Sequence, residues 1–257
     1  MKSALHPSEN TPISVDQYWE LFGHRPLLTV DSRPRARCPF CPQPLNDVAG
    51  KSRHTTGHFA HLPGSAPCPS KEPAGIPYIS LTPTAPDPER ALWLRAQFFD
   101  NWEKFYRKLE DLVPCLALKE FFALVTEANR LRVWEYRYLE PWEIPYVFVL
   151  MFDFPVTNSR TKDSKPLRKF WFRFWYDAAI TSLDDLWIHR NTEPTLFRAS
   201  YPQPARRGAI PGSESIVRFY PLERERDYLA AEPKYELPAW VKQEVGLRLP
   251  PLLGIAT

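Results

Sequence analysis

The chain has 257 residues, enough to bury a core in one domain or in a small and a larger one. Hydrophobic residues make up 44% and charged residues 25%, as in an ordinary globular protein, and no apolar run approaches the roughly 18 residues of a membrane span. A net charge of +3 is too mild to name a polyanion as partner, and 29 prolines limit long helices and central strands.

Residues 1–15 are polar and proline-bearing and are expected to be frayed; with a lysine but no apolar h-region they do not read as a signal peptide. Residues 16–22 suit a short helix and 26–30, PLLTV, a short strand. Arg33, Arg35 and Arg37 then alternate, so in an extended segment they share one face. Cysteines and histidines follow up to Cys68. Residues 69–88 hold six prolines and read as a surface connector, with a short strand at 78–81.

The next segment predicts a single helix over 87–113. Asp87 is its N-cap and Pro88 its first helical residue. Leu92, Ala96, Phe99, Trp102, Tyr106, Leu109 and Val113 give its apolar face, and Pro114 ends it. A second helix is expected over 116–128, burying Phe121, Phe122, Leu124, Val125 and Ala128. Cys115, between Pro114 and Leu116, reads as buried and inert.

Strand signals then take over. Residues 131–139 read as a first strand and 146–152, YVFVLMF, as a central one. Residues 157–168 are a basic loop. In 170–176 two aromatic faces enclose Arg173, which suggests a strand covered on both sides. A helical turn capped by Ser182 or Thr181, a loop over 194–215, a strand over 216–220 and a short helix over 240–245 complete the chain. The expected fold is α+β: an N-terminal region 1–70 with a small ribbon- or finger-like module at about 30–70, a connector over 71–88, and a helix-then-strands domain over 89–257.

The chemistry concentrates between residues 38 and 68. Cys38-Pro-Phe-Cys41 has the CxxC spacing that lets two thiolates grip one ion from a tight knuckle, and His58-Phe-Ala-His61 and Cys68 follow a loop later. These five, with His54 a sixth, compete for the four places of a zinc tetrahedron. The histidines favour metal over disulfide, and a chain of this length needs no disulfide staples. A reducing compartment, the cytoplasm, is the natural setting. Two thiolates in a closed hairpin favour a structural ion, one Zn²⁺ per chain. In an extended segment residues three apart face opposite ways, so one histidine could bind zinc while the other packs or hydrogen-bonds; in a turn both could bind. The preferred set is Cys38, Cys41, His61 and Cys68, with His58 the close substitute.

CPFC, then HFAH after sixteen residues, then Cys68 resembles the N-terminal zinc-finger segment of the competence CoiA-like proteins. The resemblance covers about 35 residues. It implies that Cys38, Cys41, Cys68 and one of His58 and His61 hold the metal. It also implies a following nuclease-like domain of the restriction-endonuclease type. Asp153, at the end of YVFVLMF, would be a strand-borne acid of that domain, but the next expected strand, over 170–176, carries no Asp/Glu-x-Lys.

Two basic clusters flank these features: Arg33, Arg35, Arg37, Lys51 and Arg53, and then Lys162, Lys165, Arg168 and Lys169. Such clusters can neutralise phosphates without reading sequence. There is no GxSxG, no phosphate-binding glycine loop and no HExxH, so no catalytic residue is assigned. The sequence therefore predicts a zinc-containing, non-catalytic nucleic-acid-associated or interaction protein, a component of a bacterial or phage assembly, with no membrane contact. Its competitors are a divergent metal-dependent nuclease and a protein-binding adaptor that ignores nucleic acid.

Overall fold

The computed structural model describes residues 1–23, 33–41, 43–48, 57–65, 68, 81–157, 168–176, 180, 182–188, 193–206, 208–212, 215–233 and 235–255. The chain divides into two compact units that alternate along the sequence. Unit 1 takes Met1–Pro77, Pro155–Ala179 and Pro194–Leu222; unit 2 takes Tyr78–Phe154, Ile180–Glu193 and Glu223–Thr257. Among the described residues every strand falls in unit 1, and every helix but one falls in unit 2. This segregation is an α+β pattern, although the sequence placed the later strands with the helices in one larger domain.

Unit 1 opens with β1 (Ser3–Leu5) paired antiparallel to β2 (Pro12–Ser14), and then α1 (Val15–Phe22). Ser14 caps α1 by accepting from the Gln17 backbone N–H at 3.2 Å, while its own N–H donates to Gln17 Oε1 at 2.9 Å. This capping box fixes a start that the sequence left one residue later. The first fifteen residues are therefore built in rather than frayed. Leu5 and Arg37 exchange backbone hydrogen bonds of 2.8 and 3.0 Å, which tie β1 to the strand entering the first cysteine.

A hairpin of β3 (Leu45–Val48) and β4 (His58–His61) follows, with Leu45 opposite His61 and Val48 opposite His58. The remaining strands form one antiparallel sheet in the order β5 (Trp171–Tyr176), β6 (Leu196–Tyr201), β7 (Arg218–Leu222). Directly paired residues share a face. One face thus carries Trp175, Phe197, Ala199 and Phe219, and these pack in the same core as Phe40, Phe59, Leu45 and Tyr18. Arg173 lies on that face too and is fully buried. Its guanidinium lies 5.7 Å and 5.2 Å from the Trp175 and Tyr201 rings and donates to the Pro211 carbonyl at 3.3 Å. The two-sided cover expected for this strand is what keeps a cation out of water here.

Unit 2 packs α2 (Pro88–Asp100), α3 (Trp102–Leu112), α4 (Leu118–Arg130), α5 (Ile144–Phe148), α6 (Asp185–Ile188) and α7 (Ala239–Leu253). Its centre is aromatic. Phe98 touches Phe105, Trp134, Phe148 and Phe121 at ring-centroid distances of 4.7, 5.2, 5.7 and 5.8 Å. No described helix is long and apolar enough to cross a membrane.

Several expectations need correcting. The helix over 87–113 breaks at Asn101, whose φ of −116° and ψ of 17° leave the helical region and whose side chain turns back to the Gln97 carbonyl at 3.1 Å. The break also rotates the first half: α2 buries Ala91, Leu94 and Phe98, while Leu92 is 68% exposed. The strand expected over 131–139 is a 3₁₀ turn at Val133–Glu135, entered through Arg132 at a left-handed φ of 57°. The central strand expected over 146–152 is instead helix α5. Ile144 to Leu150 are buried on every side, so the run has no face-alternation by which to tell strand from helix, and Pro145 sits at the helix start where its missing N–H costs nothing. The loop expected over 194–215 contains β6. Helix α7 is longer than the expected 240–245 and runs through Pro250 and Pro251. Cys115 is exposed, at φ 58°, rather than buried. The strand expected over 26–30, and residues 78–80 of the one expected over 78–81, lie outside the described residues. The division into units also differs from boundaries at 70 and 89, because β5, β6 and β7 complete the N-terminal core from far along the chain.

Candidate metal centre

Four side chains converge in unit 1: Cys38, Cys41, His61 and Cys68, with their ligand atoms all within 4.8 Å of one another. Local structure places each one. Cys38 is fixed by its N–H donating to the Gln43 carbonyl at 3.0 Å, and Leu45 N–H donates to the Ala36 carbonyl at 2.8 Å, so the CPFC knuckle is pinned at both ends. Inside the knuckle the Phe40 N–H donates to Cys38 Sγ at 3.5 Å, and Gln43 Nε2 donates to Cys41 Sγ at 3.3 Å. His61 ends β4, opposite Leu45. The chain then turns, with Ser65 N–H donating to the Leu62 carbonyl at 3.1 Å and Gly64 at a left-handed φ of 73°, on its way to Cys68.

The spacing fits a tetrahedral ion. With Zn–S near 2.3 Å and Zn–N near 2.0 Å, the edges of the tetrahedron are about 3.8 Å between sulfurs and about 3.5 Å from sulfur to nitrogen. Cys38 Sγ lies 3.6 Å from Cys68 Sγ, and Cys41 Sγ lies 3.3 Å from His61 Nε2. A disulfide needs about 2.05 Å, and all four cysteines of the chain are free. The donor set is equally apt, because three thiols and an imidazole are the soft and borderline ligands that zinc takes.

The electrostatics point the same way. Burial pushes the Cys38 thiol well above its ordinary value, and the Cys41 and Cys68 groups beside it add to the shift. Hydrogen bonds to Cys41 and then Cys68 hold the His61 imidazole up at about 9. A divalent cation at the centre inverts both tendencies, taking the sulfurs as thiolates and the imidazole as a neutral ligand. The cysteines are 3%, 5% and 1% exposed, so the centre is shielded from water except on the His61 side.

The two residues inside the ligand motifs dock the centre onto its surroundings. Phe40, between the first two cysteines, packs at a tilt against Trp175 of β5 at 4.4 Å and edge-on against Phe219 of β7 at 5.7 Å. Phe59, between the two histidines, meets the Tyr18 ring of α1 edge-on at 5.6 Å. His58 does not join the cluster. It starts β4 opposite Val48, at the far end of the hairpin from Leu45 and His61. His54 lies outside the described residues.

The basic residues fare differently from what alternation suggested. Arg33 sits 3.7 Å from Asp47 and over the Trp19 ring at 4.7 Å. Arg37 donates to the carbonyls of His6 and Glu9 at 3.1 and 2.6 Å and to Asn10 Oδ1 at 3.0 Å. Arg168 is 3% exposed and donates to the Pro155 carbonyl at 2.8 Å. All three are thereby engaged within unit 1. Arg35 is half-buried and Lys169 exposed; Lys51, Arg53, Lys162 and Lys165 lie outside the described residues. Asp153, the acid offered for a nuclease strand, follows helix α5 rather than a strand. Among the described residues no other group of three or more His, Cys, Asp or Glu side chains converges as these four do.

Residues 9–74 match the family model described as Domain of unknown function (DUF7830). The matched segment, about a quarter of the chain, contains all four clustered side chains. No curated protein and no solved structure matches the chain. The chain thus carries a Cys₃His cluster near its N-terminus, beside a β-hairpin, consistent with a single zinc site. Sequence reasoning singled out the four clustered residues from their spacing. It missed Gln43 as a donor to Cys41 and Phe40 as the docking residue, because neither role leaves a mark on local sequence pattern.

Proposed function

We propose that Cys38, Cys41, His61 and Cys68 hold one structural Zn²⁺, and that the ion organises unit 1 of a non-catalytic protein that works by association with nucleic acid or with another protein. The observation behind this reading is the closed donor set. Four protein ligands fill a tetrahedron and leave no position for water or substrate, which is the mark of a structural rather than a catalytic site. The Zn²⁺ lets short strands and a knuckle share one core that apolar burial alone supports poorly. Metal analysis of the full-length protein after extensive dialysis tests this. One zinc per chain is expected in the protein as prepared, and well under half in Cys38→Ser. A wild-type value near zero, from cells grown with zinc, overturns it.

The resemblance of CPFC, HFAH and Cys68 to the CoiA-like finger supports the zinc and extends no further. The nuclease alternative loses its footing where Asp153 follows a helix. For the nucleic-acid branch, the candidate phosphate contacts are Arg35 and Lys169, with Lys51, Arg53, Lys162 and Lys165. Binding through so few cations is sequence-neutral, weak and steeply salt-dependent. Titration of two unrelated duplexes from about 50 to 200 mM salt separates the branches. No binding even at the low end favours the protein-adaptor branch.

A further inference from the structure

Unit 2 contains an open cleft of about 480 Å³ walled by arginines and aromatic rings. That volume lies within the usual range for small-molecule sites, about 300 to 1,000 Å³. Arg90 enters from α2, Arg137 and Tyr138 from the turn after Val133–Glu135, Trp142 from the 3₁₀ turn Pro141–Glu143, Trp187 from α6, and Arg226 from the segment before α7.

The frame of the cleft is built in advance. Glu143 is 7% exposed and accepts from Trp187 Nε1 and from the Glu140 N–H, each at 2.9 Å. It thereby locks two of the walls together. Arg224, 4.0 Å from Glu143, lies 5.5 Å from the Trp142 ring, and Arg226 lies 5.0 Å from the same ring. Arg90 is anchored by donating to the Leu139 carbonyl at 3.1 Å.

The cations at the rim are more loosely engaged. Arg226 pairs with Glu193 at 2.9 Å, and both side chains are over 60% exposed, at 67% and 61%. Arg90 pairs with Glu140, itself 53% exposed, at 2.8 Å. Arg137 is 3.8 Å from Asp87, which already accepts from the Arg90 N–H as the cap of α2. Exposed ion pairs of this kind contribute little, and their carboxylates swing away at small cost. A phosphate offers more charge and three acceptor oxygens to the same guanidinium forks. The rings supply the other half of the chemistry: Tyr138 is 51% exposed, and with Trp142 it gives the cleft π-faces on which a flat heterocycle stacks. An acidic peptide would use the arginines and leave the rings idle.

We propose that this cleft binds a nucleoside phosphate unit, its phosphate held by Arg90, Arg137 and Arg226 and its base stacked against Tyr138 and Trp142. The unit arrives either as a free nucleotide or as one residue of a single strand. The inference uses no residue of unit 1 and stands apart from the zinc reading.

The test is calorimetric titration of the full-length protein with adenosine 5′-monophosphate, with a short oligothymidylate and with inorganic phosphate, at about 50 mM salt. Wild-type protein should bind at least one of the first two, and phosphate alone at least tenfold more weakly. Arg137→Ala/Arg226→Ala should weaken binding tenfold or more; its two side chains are 58% and 67% exposed, so the fold should survive, as circular dichroism will check. Tyr138→Ala, at another exposed position, should weaken binding about fivefold or more by removing a stacking face. Binding of the mononucleotide alone marks a free nucleotide as the ligand; binding of the oligonucleotide alone marks a strand. The inference fails if neither binds, if phosphate binds as tightly as the nucleotide, or if the folded variants bind like wild type.

Discussion

The two units solve the problem of a core in different ways. Unit 2 buries long helical faces, and its centre is a contiguous set of rings: Phe98, Phe105, Phe121, Trp134 and Phe148, none above 1% exposed. Among its described residues, unit 1 is made of strands three to six residues long and one eight-residue helix. Its core includes the three cysteines themselves. Elements that short bury little area each, so a cross-link among them weighs heavily. Both units draw on three separate stretches of chain, but the rings at the centre of unit 2 all come from Tyr78–Phe154, whereas the core of unit 1 joins residues from all three of its stretches. The two units should therefore answer to opposite perturbations.

The largest contrast should come from metal removal. Structural zinc sites of this donor type contribute on the order of 10 kcal/mol to the folding of small modules. Chelation should strip hydrogen-exchange protection from β3 and β4 and, through Phe40, from β5 to β7. Helices α3 and α4 should keep theirs. Equal loss in both units would erase the distinction drawn between them.

Next come two truncations of fully buried rings. Phe98→Ala and Phe40→Ala should each cost about 3–5 kcal/mol, from lost burial and the cavity left behind. They should differ in what they disturb. Phe98→Ala should lower the denaturation midpoint with zinc content unchanged. Phe40→Ala removes the ring packed 4.4 Å from that of Trp175. It should loosen β5 and β7 and speed zinc loss to a chelator, although Phe40 is not a ligand. If Phe40→Ala releases zinc no faster than wild type, the knuckle and the sheet are not coupled as the packing indicates.

Charge gives a smaller effect, confined to unit 2. Glu143 is held above the usual carboxylate range, chiefly by burial, against hydrogen bonds from Glu140 and Trp187 that pull it down. A carboxyl whose pKa is raised on folding binds its proton more tightly in the folded state. Its contribution is therefore fully present below the unfolded value near 4.3 and is lost as pH rises through the folded value. Glu143→Gln keeps an acceptor for Trp187 and removes the buried charge. The melting temperature of the variant should thus gain on wild type between pH 4 and pH 7, and a gap that narrows over that range would show that Arg224 governs Glu143 instead.

The same contrast explains what was legible in the sequence. The ligands Cys38, Cys41 and Cys68 stood out because metal chemistry constrains residue type and spacing together. The α4 face of Phe121, Phe122, Leu124, Val125 and Ala128 stood out because one side of that helix is wet. The run over Ile144–Leu150 misled because it is dry on all sides, and β-propensity then decided wrongly for a segment that is helical. The face of α2 misled because Asn101 resets the helical phase, which a single period fitted across 87–113 cannot register. For Arg33, Arg37 and Arg168 the sequence shows charge but not the carbonyls and rings that engage it. The grouping of β5, β6 and β7 with the N-terminal region was out of reach, since no local signal encodes a core shared across some hundred residues of intervening helix.

The smallest effect tests the finest distinction, that between two histidines three residues apart in β4. His61 Nε2 lies 3.3 Å from Cys41 Sγ, whereas His58 pairs across the hairpin with Val48, which is 36% exposed. His58→Ala should leave zinc at one per chain and change stability by no more than about 0.5 kcal/mol, as for a substitution that breaks no buried contact. His61→Ala should open the tetrahedron and cut zinc retention during dialysis. His61→Cys should restore it, because a fourth thiolate completes a set that zinc accepts equally well. The rescue separates a ligand from a packing residue, since cysteine replaces the donor atom but not the ring. If His58→Ala proves to be the variant that loses zinc, the strand register that sets Leu45 opposite His61 is not the one the metal selects.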